Sequence, residues 1–474
     1  MTTQHDRAVG ALLGLAAGDA VGTTVEFRSP GTFAPLTDMV GGGPFSLAPG
    51  QWTDDTSMAL CLAESLLDCC DHDPVDQLRR YVLWRERGYL SSTGRCFDIG
   101  STTSSQLDRF LRTGEPYDPA PNEESAANGS LMRLAPVSIR WFADPAGAAD
   151  RAAESSRTTH AAARPTDCCR VLAGMTAALV SGVTWDEVTA PTYRPWGNVH
   201  PAVAVVAAGS WRTRQPPDIR GSGYSVDALE AAMWAVGGAG DFRAAVLRAA
   251  NLGDDADTTA AIAGQLAGAR WGASGIPAPW RERITARERI AALATGLFVQ
   301  GGGTPDDSRW EFDAYVHAYW VEPGRLLAGE YPGHPNAETA RRRIDLLADH
   351  GIRTFVDLTT PADGLEPYEA VLAAVAADRG IDLVRAPHPI PDLGVVDRAG
   401  YDAILATITA SDGAYVHCWG GVGRTGTVVG CLLVDGGLTA EEALVELAEL
   451  RAGTGKADRP SPETEVQREV IRDR

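Results

Sequence analysis

Two acidic strings, Thr53-Asp54-Asp55-Thr56 and Asp254-Asp255-Ala256-Asp257-Thr258, stand some two hundred residues apart, each directly ahead of an apolar helical run. A single Asp or Thr is enough to cap a helix start. Several carboxylates crowded together raise one another's pKa unless a cation neutralises them. With no His or Cys beside them, Asp and Thr oxygens form a hard ligand set suited to Mg²⁺ or Mn²⁺ and unsuited to zinc. The pattern points to a paired-metal site. A third string, VHCWGGVGRTGTVVG at Val416–Gly430, runs from a short apolar strand through Cys418 to Arg424, with a helix beginning near Thr425. Backbone N–H groups of Gly420, Gly421, Val422 and Gly423 and the positive helix end favour a thiolate on Cys418 and hold phosphate oxygens. Arg424 is suited to clamp those oxygens through two parallel hydrogen bonds, and Thr425 to donate a hydrogen bond to the sulfur. A lone cysteine in a glycine turn is common, but HC-x5-R-T-G between strand and helix is a far more specific signal.

These strings need two different scaffolds. From Ala8 to about Leu297 the chain is mostly helical in pattern, in segments such as SMALCLAESLLDCC, ALEAAMWAV and TTAAIAGQLAGARW broken by Gly/Pro/Asp loops. QGGGTPDDSR then concentrates residues on which no core pattern continues. Beyond it, short β-rich runs (RLLAG, RTFVDL, DLVRA, AYVH) alternate with helical ones (AETARRRIDLLADH, YDAILATIT, GTVVGCLLV, AEEALVELAELR), an α/β pattern around a mainly parallel sheet. The expected organisation is an all-α domain over 1–300, a linker over 301–312 and an α/β domain over 313–474, with the charged final dozen residues frayed. A chain of 474 residues is long enough to divide into two cores. Its formal net charge of −20 repels phosphodiester backbones and anionic lipid, so neither nucleic acid nor membrane is an expected partner. Eight cysteines without metal-ligand spacing read as buried thiols in a reducing compartment. No apolar run is expected to reach membrane-spanning length and the start lacks a signal peptide's cleavage region, so residence is expected to be cytoplasmic.

The acidic strings and their flanks resemble the ADP-ribosylglycohydrolases of the dinitrogenase-reductase-activating type. The matching segments are GLAAGDAVGTTVEF at Gly14–Phe27, WTDDTSMAL at Trp52–Leu60, FDIGSTTSSQL at Phe97–Leu107, NGSLMRLAPVSI at Asn128–Ile139 and NLGDDADTTAAIAGQLAGARWG at Asn251–Gly272. The resemblance implies two Mg²⁺ or Mn²⁺ ions, one held by Thr53, Asp54 and Asp55, the other by Asp255 and Thr258, with Asp257 bridging both. It implies Glu26 near the scissile bond, with Glu26 or Asp55 as acid or base. It also implies that Asn128, Gly129, Ser130 and Met132 cradle the diphosphate and distal ribose through backbone N–H groups, and that His160 faces the substrate. Gly18, Gly22 and Gly100 would let a ligand approach the backbone closely.

The cysteine string is the signature of the protein tyrosine phosphatase superfamily, and AYWVEPGRLLAGEYPG at Ala318–Gly333 resembles the opening of its small dual-specificity members. Such enzymes use an aspartate upstream of the cysteine as general acid. Asp392 in HPIPDLGVVD fits, with Asp397 in reserve, and either aspartate also suits a turn or helix cap. Together the resemblances imply a bifunctional hydrolase acting on an ADP-ribosylated protein or small molecule and on a phosphorylated protein or metabolite. A second reading keeps the first domain as an ADP-ribose-binding module with only the phosphatase active, against which the complete TDDT and DADT sets argue. A third makes the second domain a phosphate-binding reader, against which the intact Cys418, Arg424 and Thr425 argue.

Overall fold

A computed structural model of the chain describes residues 2–305, 310, 312–313, 315–452 and 454–474. The chain divides into two compact units, Met1–Asp306 and Asp307–Arg474. Of the linker expected at 301–312, residues 306–309 and 311 lie outside the described residues.

The first unit is helical: α1 (Gln4–Gly22), α2 (Asp54–Cys69), α3 (Pro74–Arg87), α4 (Ser101–Thr113), α5 (Ala135–Arg140), α6 (Pro145–Arg157), α7 (Ala163–Ser181), α8 (Trp185–Val188), α9 (Pro201–Ala207), α10 (Ser225–Gly237), α11 (Phe242–Ala250), α12 (Ala256–Trp271), α13 (Ala278–Arg283) and α14 (Arg287–Gln300). Its axis is the pair α1 and α12. A Cβ placed on Gly14 would sit 2.3 Å from the Gly264 carbonyl oxygen, and one on Gly18 2.0 Å from that of Ala260. Gly10 meets Gly268 and Gly22 meets Ala256 in the same way, so the two helices run antiparallel, stepping one turn per pair. These glycines bring backbones together, which corrects the expectation that Gly18 and Gly22 serve a ligand. By length and composition Gln4–Val25 is apolar enough to cross a membrane, against expectation; here 94% of that window is buried, as a core helix requires.

The antiparallel pairing decides where chemistry sits. It lays the C-terminal end of α1, with Asp19, against the N-terminal end of α12, with Asp257 and Thr258. Helix α2 packs on both, so its own N-terminal Asp54 and Asp55 arrive at the same end.

The second unit carries β1 (Ala318–Glu322), β2 (Leu326–Gly329), β3 (Thr354–Asp357), β4 (Val384–Pro387) and β5 (Ala414–His417) in the order β1-β2-β5-β3-β4. β1 pairs antiparallel with β2; the other three pairings are parallel. The sheet is therefore mixed, mainly parallel as its run pattern predicts, with β1 an addition outside the predicted strand runs. Helices α15 (Ala337–Asp349), α16 (Glu369–Arg379), α17 (Arg398–Thr409), α18 (Gly423–Asp435), α19 (Ala440–Leu450) and α20 (Glu465–Arg472) complete it. The last corrects the expected frayed end: a reciprocal Thr464/Gln467 cap starts it and Ile471 is buried, seated where Gly430 of α18 leaves no room for a Cβ. Among the cysteines, Cys69 and Cys70 are exposed and Cys96 is half-buried, so only five of the eight match the expected burial; all eight are free thiols. Cys69 ends α2 and Cys70 caps it in the left-handed conformation, beyond the helix's buried face.

Candidate functional site

Thr53 and Asp255 occupy the N-cap positions of α2 and α12, yet neither side chain makes a capping hydrogen bond. Both are turned toward side chains of other segments instead. The Thr53 hydroxyl, with one proton to donate, lies 3.0 Å from Asp19 Oδ1, 3.3 Å from Asp55 Oδ2 and 3.3 Å from Asp257 Oδ2. Thr258 Oγ1 lies 3.4 Å from the same Asp55 oxygen. Asp55 Oδ1 and Asp257 Oδ1 are buried with no hydrogen-bond donor at all. Carboxylate oxygens outnumber the protons available to them, the arrangement that a cation resolves and a protein donor does not.

Asp19 is a residue of this site that the sequence alone did not mark. Fully buried on α1, it accepts from the N–H and hydroxyl of both Thr53 and Thr56 and so fixes the first turn of α2. Its one readable signal is a carboxylate within the apolar stretch of α1 that follows Arg7. Asp98 is the second such residue: with Glu26 and Asp257 it forms a group whose carboxylate oxygens lie within 4.8 Å of one another. Asp98 has φ of 61°, a left-handed conformation that nothing in its sequence discloses. Glu26 is brought in by a backbone clasp: Phe27 N–H donates to Asp254 O at 2.7 Å, and Asp254 N–H to Arg28 O at 2.8 Å. Asp54 is buried and Asp255 is half-buried, held by Asn128 Nδ2 at 2.6 Å.

Burial first, then mutual repulsion, pushes Asp54, Asp55 and Asp257 well above the usual carboxylate range. The same causes carry Asp98 to about 7 and Glu26 to about 9. Burial raises Asp19 to about 6, held back by the hydrogen bonds from Thr56 and Thr53.

Asn128 ties the segment Asn128–Met132 to this cluster, and Thr258 Oγ1 lies 3.9 Å from Met132 Sδ. The Ser130 side chain turns the other way, into the interior, accepting from Ser156 and Cys169, so only its backbone is left for a ligand. A Cβ on Gly129 would lie 3.0 Å from the His160 ring. His160 lines a polar cavity of 450 Å³ with Thr159, Asn122, Ser125, Ser101 and Thr102. Arg133 donates to the Thr159 hydroxyl, which shares a hydrogen bond of 2.8 Å with His160 Nδ1. Burial, then Arg133, lowers His160 to about 3, so the ring is neutral. Gly100 caps α4 with open space where a side chain would be.

In the second unit, the fully buried strand β5 ends at His417 and delivers Cys418 to the carboxyl edge of the parallel strands. The loop that follows is pinned through its carbonyls: Trp419 O accepts from Tyr331 N–H, Gly420 O from Lys456 Nζ at 3.0 Å and Val422 O from Ser461 Oγ at 2.7 Å. In a trans peptide the next N–H points the opposite way, so the donors of Gly420, Gly421 and Gly423 turn from those partners. Gly421, at φ 72°, lies so close to Gly329 that a Cβ would collide with its backbone. A cavity of 370 Å³ opens over Cys418, Arg424, Asp392 and Trp419.

Arg424 is almost wholly buried, and Asp363 grips its fork at 2.8 and 3.0 Å. No motif marks Asp363 in the sequence; it sits on a single turn, Pro361–Asp363. Burial opposes its ionisation, but Arg424 and Thr360 hold it below the usual range. Asp392 Oδ1 lies 3.1 Å from Arg424 Nη2 with its side chain 55% exposed. Asp397 accepts from Gly400 N–H as the cap of α17. The Thr425 hydroxyl is buried with no partner, in the first turn after the loop. His417, driven to about 4 by burial first, bonds the Tyr368 hydroxyl at 2.9 Å.

Comparison with known proteins accounts for both units. The family model described as ADP-ribosylglycohydrolase matches residues 1–306, and one described as Swiss Army Knife protein, DSP-PTPase phosphatase domain, matches 316–469. The ADP-ribosylarginine hydrolase Tri1 of Pseudomonas putida (strain GB-1) is 44% identical over 293 residues, 62% of this chain and 78% of that protein. The ADP-ribosyl-[dinitrogen reductase] glycohydrolase of Rhodospirillum rubrum is 32% identical over 284 residues, 59% of this chain and 90% of that protein. A solved ADP-ribosylglycohydrolase-related protein complex is 40% identical with a TM-score of 0.56, covering 64% of this chain and 100% of that one. Both units fall in hydrolase families, and the pairing supports a bifunctional hydrolase. The chain belongs to the ADP-ribosylglycohydrolase family and carries, beyond that domain, a DSP-PTPase-type phosphatase domain.

Proposed function

We propose that the first domain hydrolyses an ADP-ribosyl bond to arginine with two divalent cations, Mg²⁺ or Mn²⁺, and that the second removes a phosphate through a cysteine thiolate. The observation that carries the first half is the pair of buried, donorless oxygens on Asp55 and Asp257, on helices far apart in sequence and facing one site. The arginine linkage is taken from the relative named an ADP-ribosylarginine hydrolase. Thr53, Asp54, Asp55, Asp255, Asp257 and Thr258 would hold the cations, which when bound screen the carboxylates and polarise the hydroxyls of a bound ribose. Glu26 stands at the edge of the cluster, placed to pass a proton as the bond from the anomeric carbon to the guanidine nitrogen breaks and a water oxygen replaces it. Asn128 orients Asp255, and the Gly129 N–H offers a donor toward a diphosphate with the neutral His160 ring beside it. The direct test is release of ADP-ribose from an arginine-linked ADP-ribosyl peptide with Mg²⁺ and with chelator. No release with either metal, on a panel including serine-linked substrate, would sink this half.

Because Asp19, Asp98 and Glu26 have folded-state values raised above those of the unfolded chain, the stability they contribute is present in acid and lost as pH climbs through about 6, 7 and 9. Each tenfold gain in a group's proton affinity on folding corresponds to about 1.4 kcal/mol. In chelator the midpoint of thermal unfolding should therefore fall by roughly 5 °C or more between pH 5 and 9. Adding Mn²⁺ at pH 8 should restore it. A flat profile by calorimetry would contradict this crowding of charge.

In the second domain Cys418 Sγ would attack phosphorus while the ester oxygen leaves with a proton from Asp392; water then cleaves the thiophosphate as Thr425 donates to the departing sulfur. Arg424, positioned by Asp363, would hold the equatorial oxygens. Asp392→Asn should cut turnover of an alkyl phosphate by about 100-fold, and Asp397→Asn should leave it near wild type. Equal losses in the two variants would reassign the acid. The free cysteines and the net charge of −20 support cytoplasmic residence away from nucleic acid and membrane.

A further inference from the structure

A second cleft in the first domain uses none of the carboxylate chemistry. Trp185, Trp211 and Trp234 wall a cavity of 350 Å³ that Arg212, Arg248 and Arg270 also line. Arg270 lies thirteen residues beyond Asp257 on α12, about 20 Å along the axis, so the cleft is at the other end of that helix from the acidic site. Each guanidinium lies over an indole: Arg212 at 4.5 Å from the Trp211 centroid, Arg248 at 4.0 Å from Trp234 and Arg270 at 5.1 Å from Trp185. Stacking of this kind fixes the plane of a guanidinium and leaves its N–H edge available for an anion.

The missing partner is a negative charge. The chain has 62 acidic against 42 basic residues, and other arginines of this domain, Arg80 and Arg151 among them, pair with carboxylates. Among the described residues Arg212, Arg248 and Arg270 form no ion pair. Asp186 lines the cleft and acts on Arg270 through space without forming an ion pair, and Glu230 is taken by Arg214. Arg212 and Arg270 each donate one N–H to a backbone carbonyl, of Thr189 and Val236. Arg248 makes no hydrogen bond among the described residues, and its Nε, like Trp211 Nε1, is buried without a partner. Burial pulls Arg248 and Arg270 below the ordinary guanidinium range. Gly237 and Gly238 permit the packing, since a Cβ there would come within 2.3 Å of Trp211 and 2.5 Å of Arg248. Single cation–π stacks support a fold one at a time; three converging cations, two of them half-buried, none in an ion pair among the described residues and with Asp186 as the one carboxylate lining the cleft, cost stability unless an anion joins them.

We propose that this cleft is an anion-binding site, separate from both reaction centres, that takes a pyrophosphate-bearing ligand. Three forks supply more donors than one phosphate group uses, and the cavity is of the size that small-molecule ligands fill. The test is equilibrium dialysis of radiolabelled inorganic pyrophosphate against the full chain in EDTA, with Cys418→Ser present to prevent turnover. With pyrophosphate near the parent's dissociation constant, Arg248→Gln and Arg212→Gln should each lower the amount bound several-fold at this site, through affinities weakened about tenfold or more. Arg212 is exposed, so its variant reports even where Arg248→Gln fails to fold. An unchanged dissociation constant in Arg212→Gln, or absence of saturable binding to the parent, overturns the proposal.

Discussion

Replacing Asp257 by asparagine should lower release of ADP-ribose by about a thousandfold, while the same protein hydrolyses an aryl phosphate at the wild-type rate. Asp257 is the residue on which the first site converges: it faces Thr53 from one side and shares the Glu26–Asp98 group on the other. Its 1% exposure means that its charge meets other carboxylates and almost no water. Asparagine keeps the volume and removes the charge. Two readouts should then move in opposite directions. Activity should collapse, while in chelator at pH 8 the variant should unfold at a higher temperature than the parent, because one repelling carboxylate is gone. A merely structural Asp257 would lose activity and stability together. Turnover above a tenth of wild type with metal present would remove Asp257 from the site.

Cys418→Ser should abolish phosphatase turnover by roughly 10⁴-fold or more, leaving glycohydrolase activity intact. The substitution changes one atom at the end of β5, where the backbone is set by the sheet and by the pinned carbonyls of Trp419, Gly420 and Val422. The loop N–H groups and the Arg424–Asp363 pair remain, so the serine variant should still bind orthophosphate or tungstate with near wild-type affinity. Wild-type turnover should be indifferent to chelator, since every group in the mechanism is a side chain or a peptide. A serine variant that retained full rate would refute the thiolate step. Because the two variants act on separate units, the double variant should show the two losses independently.

Much of this was legible in the order of residues. The strings at Thr53, Asp254 and Cys418 named most of the groups that the fold brings together, because each string carries its polar groups at a local spacing that a few positions suffice to set. The bland reading of the acidic strings as helix caps was half right. Thr53 and Asp255 do stand at N-caps, but their side chains are turned toward the cluster instead of their own helices. For Asp392 and Asp397 the sequence left two candidates, and the fold separates them: one reaches Arg424, the other caps α17.

Asp19, Asp98 and Asp363 were not legible, and each for a physical reason. Asp19 acts through a helix pair whose contact depends on glycines facing glycines, an arrangement that reads along the chain as flexibility and across it as close approach. Asp98 depends on a left-handed backbone, and Asp363 on a loop that meets Arg424 from 61 residues away. The same distinction holds for the Trp–Arg cleft, whose members come from α8, α10, α11, α12 and the turn around Trp211. Sequence alone pointed to the two hydrolase families and to most of the residues that the fold brings together, since those are carried by residue type and short spacing. Only the tertiary structure decided which oxygens go without donors and which cations go without an ion pair, since both are properties of burial and of contacts between segments far apart in the chain.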